Sequence, residues 1–338
     1  MMSNKEIKQI SCGFGHNLLL SSEDEVLVFG RGSHGQLGTG SLDNLNEPVL
    51  LMKGELVKSV VAGGYHSFIL KHDGTVLAMG NNEFYQIGLG QVEKQTKPVP
   101  IMKEDGIERI VAGGYHSFFL LKDGSLLALG SNLYGQLGLK ENRCAEKPEL
   151  LFREDISDIS CGNDHSMLLK SNGELMVTGK NKYGELGLGD TVSRFGFVIM
   201  RKDENIMRIM CGAKTSFILT RDRTLWVCGY NKTKSLGIGD KVDKFSSKPV
   251  LLLKESSIMM INNSGKLKEG LWSVETHQKF PLSFQYGVFT FLLCLRRLGN
   301  ENKLLVPPKF VLFLIIKNVD NFKIDKKQAE EISKCFLA

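Results

Sequence analysis

From residue 7 to residue 253 the chain alternates short apolar runs with turns rich in Gly, Asn and Asp, and the alternation keeps strict time. Five stretches align: SCGFGHNLLLSSEDEVLVFG from Ser11, AGGYHSFILKHDGTVLAMG from Ala62, AGGYHSFFLLKDGSLLALG from Ala112, CGNDHSMLLKSNGELMVTG from Cys161 and CGAKTSFILTRDRTLWVCG from Cys211. Their closing glycines, Gly30, Gly80, Gly130, Gly179 and Gly229, are 50, 50, 49 and 50 residues apart. A second glycine follows each of them at Gly38, Gly88, Gly138, Gly187 and Gly237. Four units then end on a proline before an aliphatic run, at Pro48, Pro98, Pro148 and Pro249.

Within one unit, SFILKHDGTVLAMG is two apolar runs joined by His72-Asp73-Gly74. Asp-Gly between apolar runs is a strong short-range hairpin signal, because a tight turn there needs positive φ. Asp123-Gly124 and Asn172-Gly173 repeat the device. The first and fifth units replace it with Glu23-Asp24-Glu25 and Asp222-Arg223, which predicts looser turns in those two hairpins. Upstream of each hairpin an aliphatic stretch (Ile7–Ile10, Val57–Val60, Ile107–Ile110, Ile156–Ile159, Ile206–Ile209) predicts an inner strand, and the run after the proline predicts an outer one. Four short strands per unit, with glycine-rich turns and no helical period, describe the blade of a β-propeller. A blade has two apolar faces and cannot bury both alone, so each copy covers the last.

The units are placed at 7–55, 56–105, 106–155, 156–205 and 206–254, with a partial sixth over 255–271, where SIMMINNSGKLKEG follows the pattern of SMLLKSNGELMVTG. Together residues 1–271 are expected to form an all-β propeller of five to six four-stranded antiparallel blades. From Trp272 the register is lost, and residues 272–338 are expected to form a short helical segment, with Pro281–Leu298 as its first helix and Asp325 as an N-cap.

The pattern of Cys-Gly or Ala-Gly-Gly, His-Ser, Asp/Asn-Gly and then G-x-N-x-x-G-Q-L-G resembles the repeat of the regulator of chromosome condensation family. The resemblance covers residues 7–253 and recurs five times. It implies a propeller, typically of seven blades, whose members include exchange factors, ubiquitin-ligase subunits, kinases and adaptors, so it speaks to fold far more than to function.

The chemistry is sparse. His16, His66, His116 and His165 hold one repeat position, with Thr215 in the fifth unit. Their recurrence points to a task done once per blade, such as pinning a neighbouring carbonyl, rather than to one metal centre. Cys12, Cys161 and Cys211 alternate with Ala62 and Ala112, the mark of small buried hydrophobes. The glycine-rich GNNEFYQIGLG lacks the strand-to-helix setting and the Gly-Lys-Ser/Thr of a phosphate loop. No catalytic constellation, cofactor motif or metal-binding spacing is found.

Charge adds one distinction. Residues 1–253 carry 30 Lys and Arg against 29 Asp and Glu, while residues 254–338 carry 13 against 8, so the +6 of the chain sits mostly in its tail. No run of five like charges occurs, which argues against direct nucleic-acid binding. The longest apolar runs, Phe289–Leu295 and Phe310–Ile316, are too short to span a bilayer. Without an apolar leader at the N-terminus the chain is expected in the cytoplasm or nucleus and not secreted, its seven cysteines reduced. The expectation is a non-enzymatic interaction scaffold with a protein partner. Two alternatives are a guanine-nucleotide exchange factor for a Ran-type small GTPase and a ubiquitin-ligase substrate adaptor acting through the tail. The family's exchange factor uses a protruding hairpin, and no unit here is long enough to supply one.

Overall fold

The computed structural model describes residues 6–253, apart from 105, 154 and 239–243. The partial sixth unit and the helical tail expected from the sequence lie outside the described residues. Twenty strands form five four-stranded antiparallel sheets. The first sheet runs β1 (Ile7–Cys12), β2 (His16–Ser21), β3 (Glu25–Gly30), β4 (Leu45–Lys53), each strand pairing with the next. The second is β5 (Val57–Ala62) to β8 (Lys94–Lys103), with β6 at His66–Lys71 and β7 at Thr75–Asn81. The third is β9 (Ile107–Ala112) to β12 (Ala145–Phe152), with β10 at His116–Leu121 and β11 at Leu126–Gly130. The fourth is β13 (Ile156–Cys161) to β16 (Arg194–Lys202), with β14 at His165–Lys170 and β15 at Glu174–Gly179. The fifth is β17 (Ile206–Cys211) to β20 (Phe245–Leu253), with β18 at Thr215–Thr220 and β19 at Leu225–Tyr230. This is the five-bladed pattern that the repeats predict.

Alternation decides which neighbour each side chain meets. Ile69 of β6 joins a cluster with Leu18, Leu20, Val26 and Val28 of the first sheet. Its neighbours Phe68 and Leu70 point the other way and pack on Ile107, Ile110 and Phe119 of the third. Both faces of an inner blade are therefore core, which is why its two central strands read as unbroken apolar runs. The outer strands are half-exposed and carry the prolines, at a sheet edge where a missing N–H costs no ladder bond.

The two hairpins expected to be loose are as tight as the rest. Leu20 pairs with Val26 and Leu219 with Leu225, the register of Leu70 with Val76 and Leu120 with Leu126. Asp24 (φ 57°) and Arg223 (φ 61°) take the left-handed conformation that Gly74 (φ 82°) and Gly124 (φ 81°) take elsewhere. Asp24 is compensated, since its carboxylate accepts the N–H groups of Leu56 at 2.6 Å and Val57 at 2.8 Å. Packing of the flanking strands imposes the turn, and the sequence at the turn follows.

The closing glycines have φ between 103° and 111°, at the point where the third strand shifts register against the fourth. A Cβ on Gly30 would stand 2.4 Å from the Gly15 carbonyl oxygen. The second set, Gly38, Gly88, Gly138, Gly187 and Gly237, has φ between 66° and 74°.

Candidate interaction face

Four joints hold the sheets together, and all are made alike. The His16 Nε2 lies 2.8 Å from the Ser67 hydroxyl, His66 2.8 Å from Ser117, His116 2.9 Å from Ser166 and His165 3.0 Å from Ser216. Three of these hydroxyls donate back to a carbonyl of the preceding sheet: Ser67 to Gln36, Ser166 to Gln136 and Ser216 to Glu185, at 2.7 to 2.8 Å. A hydroxyl that donates to a carbonyl must accept from the ring, which assigns the proton to Nε2. The histidines thus reach a serine that staples the joint, and His16 and His165 also meet the backbone of His66 and Thr215 in the next blade. Burial pushes their pKa values down, to about 4 for His16 and His165 and about 3 for His66 and His116. The rings are held neutral at the close approach of a glycine, where a Cβ on Gly63 or Gly113 would meet its own histidine ring at 2.3 Å. Backbone bonds from Phe14 N to Gly64 O, Gly64 N to Gly113 O, Gly114 N to Gly162 O and Asn163 N to Ala213 O complete the joints.

The staple changes in the first and the fifth described sheets. The first sheet has Asn17 where the others have serine, and the fifth has Thr215 where the others have histidine.

Directly above this layer lies a rim built from the same four repeat positions in every blade. The residue before the histidine position is Gly15, Tyr65, Tyr115, Asp164 and Lys214 in turn, and on the first blade Phe14 stands just upstream of Gly15. The residue after the closing glycine is Arg31, Asn81, Ser131, Lys180 and Tyr230, and two further loop positions give Ser33-His34, Glu83-Phe84, Leu133-Tyr134, Lys182-Tyr183 and Lys232-Thr233. In the first three blades the rim is aromatic. Phe14 packs on Tyr65 (5.3 Å between centroids), Tyr65 on His34 (4.9 Å) and on Tyr115 (5.4 Å), and Tyr115 on Phe84 (5.3 Å). Burial and the Tyr65 hydroxyl beside it push the Tyr115 phenol up to about 12.

In the last two blades the rim turns cationic. Lys180 lies 4.0 Å from the Tyr134 ring centroid and pairs with Asp164 at 2.9 Å. Tyr183 and Tyr230 meet edge to face at 4.9 Å, and the Lys214 ammonium covers both rings at 5.4 and 5.5 Å. Lys182 lies 5.8 Å from the Tyr183 ring. Beneath them Glu185 replaces the glutamine of the first three blades. Burial raises its carboxyl above the usual range, and Lys180 and Lys214 partly offset that rise.

The inner strands β1, β5, β9, β13 and β17 line a central cavity of about 1460 Å³. Its polar groups are largely spent on neighbours: Gln9 exchanges two hydrogen bonds with Val60, and Arg109 pairs with Asp158 at 2.5 Å. Cys161 and Cys211 are half-buried here, and burial pushes the Cys211 thiol up to about 12, which suits a packing role and not a nucleophile. Cys12 is exposed, unlike its repeat equivalents, because no described sheet precedes the first. Among the described residues no group of three or more His, Cys, Asp and Glu could hold a metal, and no helix is long and apolar enough to cross a membrane.

Comparison with known proteins bears on the whole array. The sequence profile of the RCC1-like domain matches residues 1–194. The chain belongs to this family. Among solved structures, yeast RCC1 (Prp20), determined with Kap60 bound, is similar over 74% of this chain and 62% of that one, with a TM-score of 0.65 and 21% identity. Human WBSCR16 is similar over 74% and 68%, with a TM-score of 0.65 and 24% identity. At these identities the likeness shows the fold. Two curated relatives each match over 43 residues, 13% of this chain. One is the RCC1 domain-containing protein RUG3, mitochondrial, of Arabidopsis thaliana (51% identical, 10% of its length). The other is the E3 ubiquitin-protein ligase MYCBP2 of Danio rerio (44% identical, 1% of its length). The chain therefore spans a small part of these relatives.

Reading the sequence for its constant positions located the joint and missed the rim. The rim is carried by the positions that vary between copies, and a repeat is recognised by those that do not. Setting the five copies in columns exposes it: Gly, Tyr, Tyr, Asp, Lys before the histidine position is a change of chemistry along the array.

Proposed function

We propose that the chain is a non-enzymatic interaction module of the RCC1-like family, which presents its rim to a protein partner. One observation carries the reading. The groups that recur from blade to blade are consumed in holding the blades together, while the rim exposes Phe14, Leu133 and Tyr134 at 49, 43 and 42% beside a row of lysines. Aromatic side chains left this exposed on a rigid support are the usual anchors of protein interfaces. The cytoplasm or nucleus is its expected compartment, and no cofactor is required.

A photo-crosslinking residue placed at Tyr134, and another at Asp73 on a distant hairpin, test the proposal. Partners should be trapped from position 134 and not from 73, and equal trapping from both would overturn it. The exchange-factor alternative is tested in the same preparation, by adding the chain to a nucleotide-loaded Ran-type GTPase. The described loops are uniform from blade to blade, so no acceleration of nucleotide release is expected. The ligase-adaptor alternative rests on residues 272–338 and is tested by deleting them, which should leave the rim crosslinks unchanged.

A further inference from the structure

The rim's two sectors differ in what they can bind. On the first three blades its charged groups are Arg31 and Glu83, with His34, and they nearly cancel. On the fourth and fifth the same positions supply Lys180, Lys182, Lys214 and Lys232, against Asp164, which is held by Lys180, and Glu185, which is buried below. Lys182, Lys214 and Lys232 are exposed. This concentration arises in a region that is close to neutral over residues 1–253, so it belongs to the sector and not to the composition.

We propose that this lysine sector is the docking site for an acidic segment of a partner protein, its carboxylates over Lys182, Lys214 and Lys232. An apolar residue at one end of the segment sits on Leu133 and Tyr134. The inference deepens the interaction reading above and rests on it. Charge complementarity names the ligand, and the rings decide between anionic classes. Single-stranded nucleic acid binds such surfaces by stacking bases on free aromatic faces. Here Tyr183 and Tyr230 pack edge to face on each other, and Lys214 lies over both. The two rings are already engaged with each other and with the Lys214 ammonium, and cation–π contact holds that ammonium beside them. Such groups satisfy carboxylates as point charges without demanding a planar partner. Between the sectors, Tyr134 touches Lys180 on one side and is open on the other, so the apolar anchor has a place adjoining the charges.

The test uses the full chain and a fluorescent peptide of about a dozen residues, rich in Glu and Asp with one terminal Phe. A Lys-rich peptide of equal length and a single-stranded oligonucleotide of equal charge serve as comparison probes. The acidic peptide should bind, more weakly as salt rises. The K182E/K214E/K232E triple variant should lose roughly tenfold or more of that affinity, and K182R/K214R/K232R should keep most of it. Replacing the terminal Phe by Ser, or Tyr134 by Ala, should each weaken binding, and in combination no further. Absent binding of the acidic peptide, binding indifferent to charge reversal, or tighter binding of the oligonucleotide would each overturn the proposal. Partners crosslinked from position 134 separate the two readings. If they survive charge reversal, the rim remains an interaction face and the acidic ligand is wrong; if none is trapped at all, the interaction reading itself fails.

Discussion

His66 and Tyr65 are neighbours in sequence, and they belong to different regimes. His66 is fully buried, bonded to the serine of the next blade, and repeated in kind at three other joints. Tyr65 stands one residue away on the rim, where its equivalents are Gly, Tyr, Asp and Lys. The joint tolerates one solution because a ring, a hydroxyl and a glycine must meet within van der Waals limits in a dry space. The rim faces water, so its chemistry is free to change from blade to blade. Constancy in a repeat marks what holds it up, and variation marks what it can be used for.

Acid should break the joint first, with the largest effect. The folded chain keeps its four histidines neutral at values of about 3 to 4, where the unfolded chain takes up protons near the ordinary 6.5. Stability is therefore fully present above pH 6.5 and falls as pH drops toward the folded values. By pH 5 each ring costs on the order of 2 kcal/mol, and together they approach the whole stability of a domain. Thermal melts between pH 7 and 4.5 should show a steep, cooperative loss, and a flat profile would mean that the rings are not sealed. Gly113→Ala comes next. Its Cβ would stand 2.3 Å from the His116 ring and 2.6 Å from the Gly162 carbonyl oxygen, so overpacking of about 3 kcal/mol is expected in denaturant titration.

Smaller effects sharpen the contrast. Arg223→Gly relieves a left-handed residue and should stabilise by roughly 0.5–1 kcal/mol. Asp24→Gly should not, because it also removes the carboxylate bonds to Leu56 and Val57. At the bottom of the scale, K182E/K214E/K232E should shift stability by less than about 0.5 kcal/mol, as exposed substitutions do. A large loss there would mean that the lysines are part of the scaffold and would erase the distinction between joint and rim.

Sequence by itself determined the number of described blades, the order of their strands and the histidine and glycine positions, because the glycines are written five times and the histidine four times in a fixed register. Short-range chemistry suffices for those: alternation sets the strands, and glycine marks the turns that need positive φ. It misjudged the Asp24 and Arg223 turns, since the pull of flanking strands on a turn is a tertiary force that no dipeptide reveals. It did not reveal the serine that the histidines reach, because the two residues stand about one repeat apart and meet only when blade stacks on blade. The rim was written in the sequence, yet only the fold could join its positions. Residues 15, 65, 115, 164 and 214 become one surface when the rotation from blade to blade brings equivalent positions around a common centre.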